Sequence, residues 1–150
     1  MTSSQVLTYT IGFTESSAEG FFKRLRAAGV RRLLDVRLNN TSQLSGFAKS
    51  KDLKFFLSEI ASIDYVHMPL LAPTEDILTE YKKNKGDWRV YREKFLALMA
   101  RRSIETSIAP GDLDASCLLC SEHLPHNCHR SLVCEYLNDK WDSALNVRHL

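Results

Sequence analysis

Val6-Leu-Thr-Tyr-Thr-Ile-Gly12, then Ser16-Ser-Ala-Glu19, then Val30-Arg-Arg-Leu-Leu-Asp-Val-Arg37: these three stretches decide the fold. The first is a short apolar run stopped by glycine, which predicts a strand. The second is a Ser-x-x-Glu capping box, and the stripe Phe21, Phe22, Leu25 and Ala28 that follows it predicts a helix closed by Gly29. The third carries Leu33, Leu34 and Val36, the near-continuous apolar run of a strand covered on both faces. Strand, helix, strand in this order implies a parallel pair.

Outward from this unit the alternation continues. Leu38 to Gly46 is polar and turn-prone, a loop at the carboxyl end of the second strand. Helical spacing resumes at Leu53, Phe56, Leu57 and Ile60, and Asp64 to Met68 is a third strand ended by Pro69. A short helix is expected near Thr74, where Pro73, Glu75 and Asp76 suit a helix start. Gly86 interrupts, and Trp88, Tyr91, Phe95, Leu98 and Met99 then form the clearest amphipathic helix. Ala115 to Cys120 is a fourth strand, Pro125 or Asn127 opens a last helix bearing Leu132, Val133, Tyr136 and Leu137, and Asn146 to Leu150 is a closing strand. The expected fold is α/β, a Rossmann-like three-layer sandwich with a mostly parallel sheet, in one domain spanning 1–150.

With 150 residues, 44% hydrophobic and 25% charged, the composition is that of a globular domain rather than a disordered, collagenous or membrane chain. No apolar stretch approaches the roughly 20 residues needed to cross a bilayer. The opening Met1-Thr-Ser-Ser-Gln5 has no basic region followed by an apolar core, so a cytoplasmic protein is expected. Cys117, Cys120, Cys128 and Cys134 are accordingly expected as reduced thiols rather than a disulfide framework. A net charge of +2 and a pI near 8.4 permit an anionic partner without demanding nucleic acid.

Ligands of such sheets bind beyond the carboxyl ends of the strands. Three stretches are expected there: Thr10-Ile-Gly-Phe-Thr14, Asp35-Val-Arg37 and Cys120 to Arg130. Arg37 and Arg130, with the amino end of the last helix, suit a phosphate or carboxylate, and Asp35, Cys120, Gly12 and Thr14 would line the same place. The ligand expected is a small anion or a nucleic-acid element. Glu122 is the candidate acid, base or carboxylate nucleophile and His129 a second proton carrier. A Cys128 thiolate would be stabilised by the helix terminus and Arg130.

Other readings stay open. Arg37, Arg130, Asp35 and Glu122 also suit a structural ion-pair staple in a non-catalytic interaction domain. Cys117 and Cys120 with Cys128 and His129 superficially offer four metal ligands, but residues three apart on a strand point to opposite faces. Walker, Gly-x-Gly-x-x-Gly and Gly-x-Ser-x-Gly motifs are absent, and the residues name no cofactor and no reaction. Trp88 near Lys82-Lys-Asn-Lys85 suits core packing first and a nucleotide base second, and His67 and Tyr81 carry weaker signals.

Thr10-Ile-Gly12, Leu34-Asp-Val-Arg37, Tyr65-Val-His-Met-Pro-Leu70, Leu119-Cys-x-Glu122, Pro125 and Cys128-His-Arg-x-Leu132 together resemble the prokaryotic "domain of unknown function 488" family over nearly the whole chain. In many members the first turn reads Gly-His-Ser and a Pro follows the Asp-Val-Arg. Here Gly12-Phe13-Thr14 and Asn39-Asn40 stand there, which removes a histidine from the site. The resemblance implies a Rossmann-like α/β fold and no settled activity.

Overall fold

The computed structural model describes residues 5–13, 17–38, 50–83, 86–120 and 128–150. Its five strands, β1 (Val6–Gly12), β2 (Arg32–Asp35), β3 (Asp64–His67), β4 (Ser116–Cys120) and β5 (Leu145–His149), form one sheet in the order β3-β2-β4-β1-β5. Every pairing is parallel, so the expected mostly parallel sheet is wholly so. The helices are α1 (Ala18–Ala28), α2 (Ser50–Phe56), α3 (Glu75–Lys83), α4 (Trp88–Arg102), α5 (Ile104–Ser107) and α6 (His129–Lys140).

Strand order dictates the layers. The steps from β1 to β2 and from β2 to β3 run one way along the sheet, while those from β3 to β4 and from β4 to β5 run the other. Crossovers of one hand therefore put α1 and α2 on one face and α3 to α6 on the opposite face. The two cores follow. Tyr9, Ile11, Leu33, Cys117 and Leu119 pack against Phe21, Phe22 and Leu25 of α1 and Leu53 of α2. Leu34, Leu118, Cys120 and Leu145 pack against Phe95 and Met99 of α4 and Leu132, Val133 and Leu137 of α6. Each fully buried Leu or Phe contributes about 1.5–3 kcal/mol of transfer free energy.

Local chemistry sets the boundaries, and several differ from the sequence expectation. Ser17 caps α1, accepting from the Gly20 N–H at 3.0 Å, so the cap falls one residue after the Ser16 that opens the capping box. Gly29 ends that helix at φ 76°, the left-handed turn that glycine adopts without strain. β2 is shorter than Val30 to Arg37 because the Arg37 N–H turns to the Asp35 carboxylate (3.2 Å) and leaves the ladder. After α2 a π-type turn at Leu57–Ala61 rotates the face, burying Leu57 and leaving Ile60 exposed rather than in the core. Helix α6 is described from His129, capped by an extended Cys128, and Pro125 and Asn127, the expected openings, lie outside the described residues. Among the described residues, no helix is long and apolar enough to cross a membrane.

Candidate functional site

β1 sends its chain toward β2 under α1, while its neighbour β4 sends its chain toward β5 under α6. The opposed departures make the carboxyl ends of these two strands a topological switch point, the place at which parallel sheets take ligands. The last registered pair there is Gly12 with Cys120. Three polar clusters surround it.

The first lies on the α1 side. Asp35, fully buried, accepts from Arg37 Nε (2.8 Å) and Nη2 (2.7 Å) in a two-pronged ion pair, from the Arg37 backbone N–H, and from the Tyr65 hydroxyl. Arg37, only 4% exposed, also lies with its guanidinium 5.2 Å from the Phe13 ring centre. The aromatic residue in the first turn, where a histidine stands in many proteins that the sequence resembles, here supports the arginine. His67 Nε2 donates to the Arg37 carbonyl at 2.8 Å, fixing the turn that follows β2.

The second lies on the α6 side. Arg130, 1% exposed, directs Nη1 to Cys120 Sγ at 3.0 Å and to Cys128 Sγ at 4.0 Å. The two sulfurs are joined as a disulfide that links the end of β4 to the cap of α6. The expectation of four reduced thiols is thus corrected for Cys120 and Cys128, whose elements end and begin at the same place, and holds for Cys117 and Cys134, both free and buried. Cys117 faces the α1 core and Cys120 the α6 core, as strand alternation requires. Among the described residues, no three His, Cys, Asp or Glu side chains gather to hold a metal ion.

His129 stitches the two sides. Its Nε2 donates to the Val36 carbonyl at 2.6 Å, so in the neutral ring Nδ1 is the acceptor. Burial, aided by the charge of Arg130, pushes its pKa down to about 4, against the backbone hydrogen bond and Asp35, which favour the cation. At neutral pH it is an uncharged orienting group. Phe95, at the end of the stack Trp88, Tyr91 and Phe95, lies 5.6 Å from the His129 ring. Trp88 and Tyr91 stack on each other, the packing role expected of them, and Tyr81, which carried a weaker signal, packs against both.

The third cluster was not read from the sequence. The buried Thr10 hydroxyl is hydrogen-bonded to His149 Nδ1 across the β1–β5 pairing, where these two residues stand in register. The pKa of His149 is lowered by burial and by the charge of Arg130, which places it in the field of the α6-side cluster. The signal was a closing strand, but only the strand order shows that it lies beside β1.

The structure thus gathers Gly12, Cys120, Cys128, His129 and Arg130 around one end of α6, and Asp35 and Arg37 around the turn after β2. Arg37 and Arg130 approach the edge from opposite sides of the sheet and belong to different clusters. Glu122 and Thr14 lie outside the described residues.

A doubly wound all-parallel α/β sheet with buried guanidinium groups about its switch point defines the class. The chain belongs to the family described as "Domain of unknown function DUF488", whose family model matches residues 17–137. No curated protein and no solved structure matches the chain.

Proposed function

We propose that this domain binds an anionic, phosphorylated ligand, a nucleotide or a nucleic-acid element, at the carboxyl edge of its sheet. One observation carries the reading: the buried guanidinium of Arg130 sits where the positive end of the twelve-residue helix α6 meets the Gly12–Cys120 switch point. A helix amino terminus favours an anion, and a guanidinium in a low-dielectric setting strengthens that preference. In this reading Arg130 and the opening turn of α6 hold the phosphate beside the Gly12–Cys120 pair. Arg37 and Asp35 shape the opposite wall. His129, held uncharged by burial, orients the opening of α6 through its bond to the Val36 carbonyl and stays the second candidate for moving protons. Glu122 is the acid–base candidate should the ligand also be transformed.

For Asp35 and Arg37 a second reading has support of its own. Their ion pair uses both carboxylate oxygens and two guanidinium nitrogens, which suits a structural staple.

The test is a thermal-shift series with inorganic phosphate, nucleoside mono-, di- and triphosphates and short oligonucleotides. A ligand at a hundred times its Kd stabilises by about 2.7 kcal/mol, which at this chain length raises Tm by roughly 5 °C or more. The expected result is such a rise for at least one phosphorylated compound, lost in Arg130→Gln. A flat response across the series overturns the reading and leaves the staple.

A further inference from the structure

The four cysteines divide into two kinds. Cys117 and Cys134 are enclosed by apolar side chains, and burial raises the pKa of both thiols, that of Cys134 to about 12, despite the opposing charge of Arg130. They are inert core residues. Cys120 and Cys128 are as buried, yet their surroundings are different. Cys120 ends β4 at the switch point, and Cys128 is the cap of α6, where the helix dipole favours a negative sulfur. Arg130 Nη1 stands 3.0 Å from one sulfur and 4.0 Å from the other, and the sulfurs are bonded to each other. A guanidinium is a poor neighbour for an inert thiol and a good one for a thiolate.

We propose that Cys120 and Cys128 are a redox couple that a hydroperoxide oxidises and a thiol reductant reopens, with Arg130 holding the thiolate. The couple does not depend on the anion-binding reading. In the oxidation, the Cys128 thiolate attacks the terminal oxygen of the hydroperoxide. The S–O bond forms as the O–O bond breaks, leaving a sulfenic acid and, after protonation, an alcohol (water, from hydrogen peroxide). The Cys120 thiolate then attacks the sulfenic sulfur. The S–S bond forms, the S–O bond breaks, and hydroxide departs as water on taking a proton. Two thiols and one hydroperoxide give one disulfide, one alcohol and one water, with two electrons passing from sulfur to oxygen. A thiol reductant reverses the bond by exchange and is itself oxidised to its disulfide.

The full chain, reduced and freed of reductant under anaerobic conditions, would be treated with hydrogen peroxide, then alkylated in the native state and mapped by peptide mass. The expected result is a peptide pair linked through Cys120 and Cys128, undone by dithiothreitol, with Cys117 and Cys134 unmodified until denaturant is added. In Cys120→Ser, a sulfenic-acid reagent such as dimedone should mark Cys128. Arg130→Gln should slow the oxidation about threefold at pH 7 for each unit that the thiolate pKa rises. Tenfold is lost in thiolate fraction and about threefold regained in nucleophilicity. Absence of the linked pair, or oxidation that falls equally on Cys117 and Cys134, overturns the proposal. An unchanged rate in Arg130→Gln removes the arginine from it, and if that variant fails to fold, the mapping and the dimedone adduct still decide.

Discussion

Arg37 and Arg130 are buried to nearly the same degree at the same edge of one sheet, and the described groups around them differ in kind. Arg37 grips a carboxylate with two nitrogens and its own backbone N–H, lies against an aromatic ring, and has its carbonyl held by His67. Among the described residues, Arg130 directs its Nη1 to two sulfurs at the amino end of a helix. A buried charge is costly unless it is compensated. The first environment compensates with a formal counter-charge and so resembles structure. The second sets a cation beside two sulfurs that gain charge when the bond between them is reduced. Burial and residue type are alike for the two arginines, and the described groups that each touches are not.

The largest effect that would break this comparison is on the α1 side. Asp35→Ala leaves the Arg37 guanidinium without its buried carboxylate, and removing one member of such a pair costs about 3–5 kcal/mol. Denaturant melts should show that loss, and the double variant Asp35→Leu with Arg37→Met should recover most of it. If the double variant is as unstable as the single, the pair is more than a staple and the contrast with Arg130 weakens.

How much of this was legible in the sequence turns on which physical rule each feature obeys. The bounds of β1 at Val6 and Gly12 and the end of α1 at Gly29 followed from local chemistry, apolar alternation and the left-handed preference of glycine. The convergence of Gly12, Asp35, Cys120 and Arg130 on one edge followed from parallel topology, which puts every strand's carboxyl end on the same side. Sidedness did not follow. Leu34 and Val36 pack on the α6 face, so the intervening Asp35 lies with Leu33 toward α1, and alternation already held that information. That α6 covers the other face depends on β4 lying between β2 and β1, an order that no local pattern encodes. The pairings Tyr65–Asp35 and Thr10–His149 were not legible for the same reason, since the partners lie on strands whose adjacency is a property of the sheet.

His129 bridges the two regions and supplies a test of intermediate size. Its folded pKa of about 4 lies below the ordinary 6.5, so between these values the unfolded chain binds a proton that the folded chain refuses. Stability therefore rises with pH across that window and is flat, for this group, above about 6.5. The loss on acidification to pH 4 amounts to about 3 kcal/mol at most. Carboxylates titrate in the same range, so the measurement is the difference between wild type and His129→Gln in denaturant melts from pH 4 to pH 7. The variant should show the shallower slope. Equal slopes would mean that the histidine is not held neutral and that the stitch from α6 to Val36 is not what fixes it.

The smallest test concerns the donors that Asp35 gathers on the α1 side. An ionised carboxylate offers about four acceptor positions. Asp35 meets donors from the Arg37 backbone N–H, Nε and Nη2 and from the Tyr65 hydroxyl. Tyr65→Phe removes the hydroxyl that donates to Asp35 and keeps the ring that packs on the α1-side core. Bonds to charged groups contribute about 1.5–3 kcal/mol. Because Arg37 continues to neutralise Asp35, the cost should fall at the lower end, about 1.5 kcal/mol in a denaturant melt, with the m-value unchanged. No measurable cost would mean that the carboxylate has slack and that its geometry is not fixed by Tyr65. A cost rivalling that of Asp35→Ala would make the hydroxyl an equal partner in the ion pair, and the α1 side would then be a three-membered network in which no member can be altered alone.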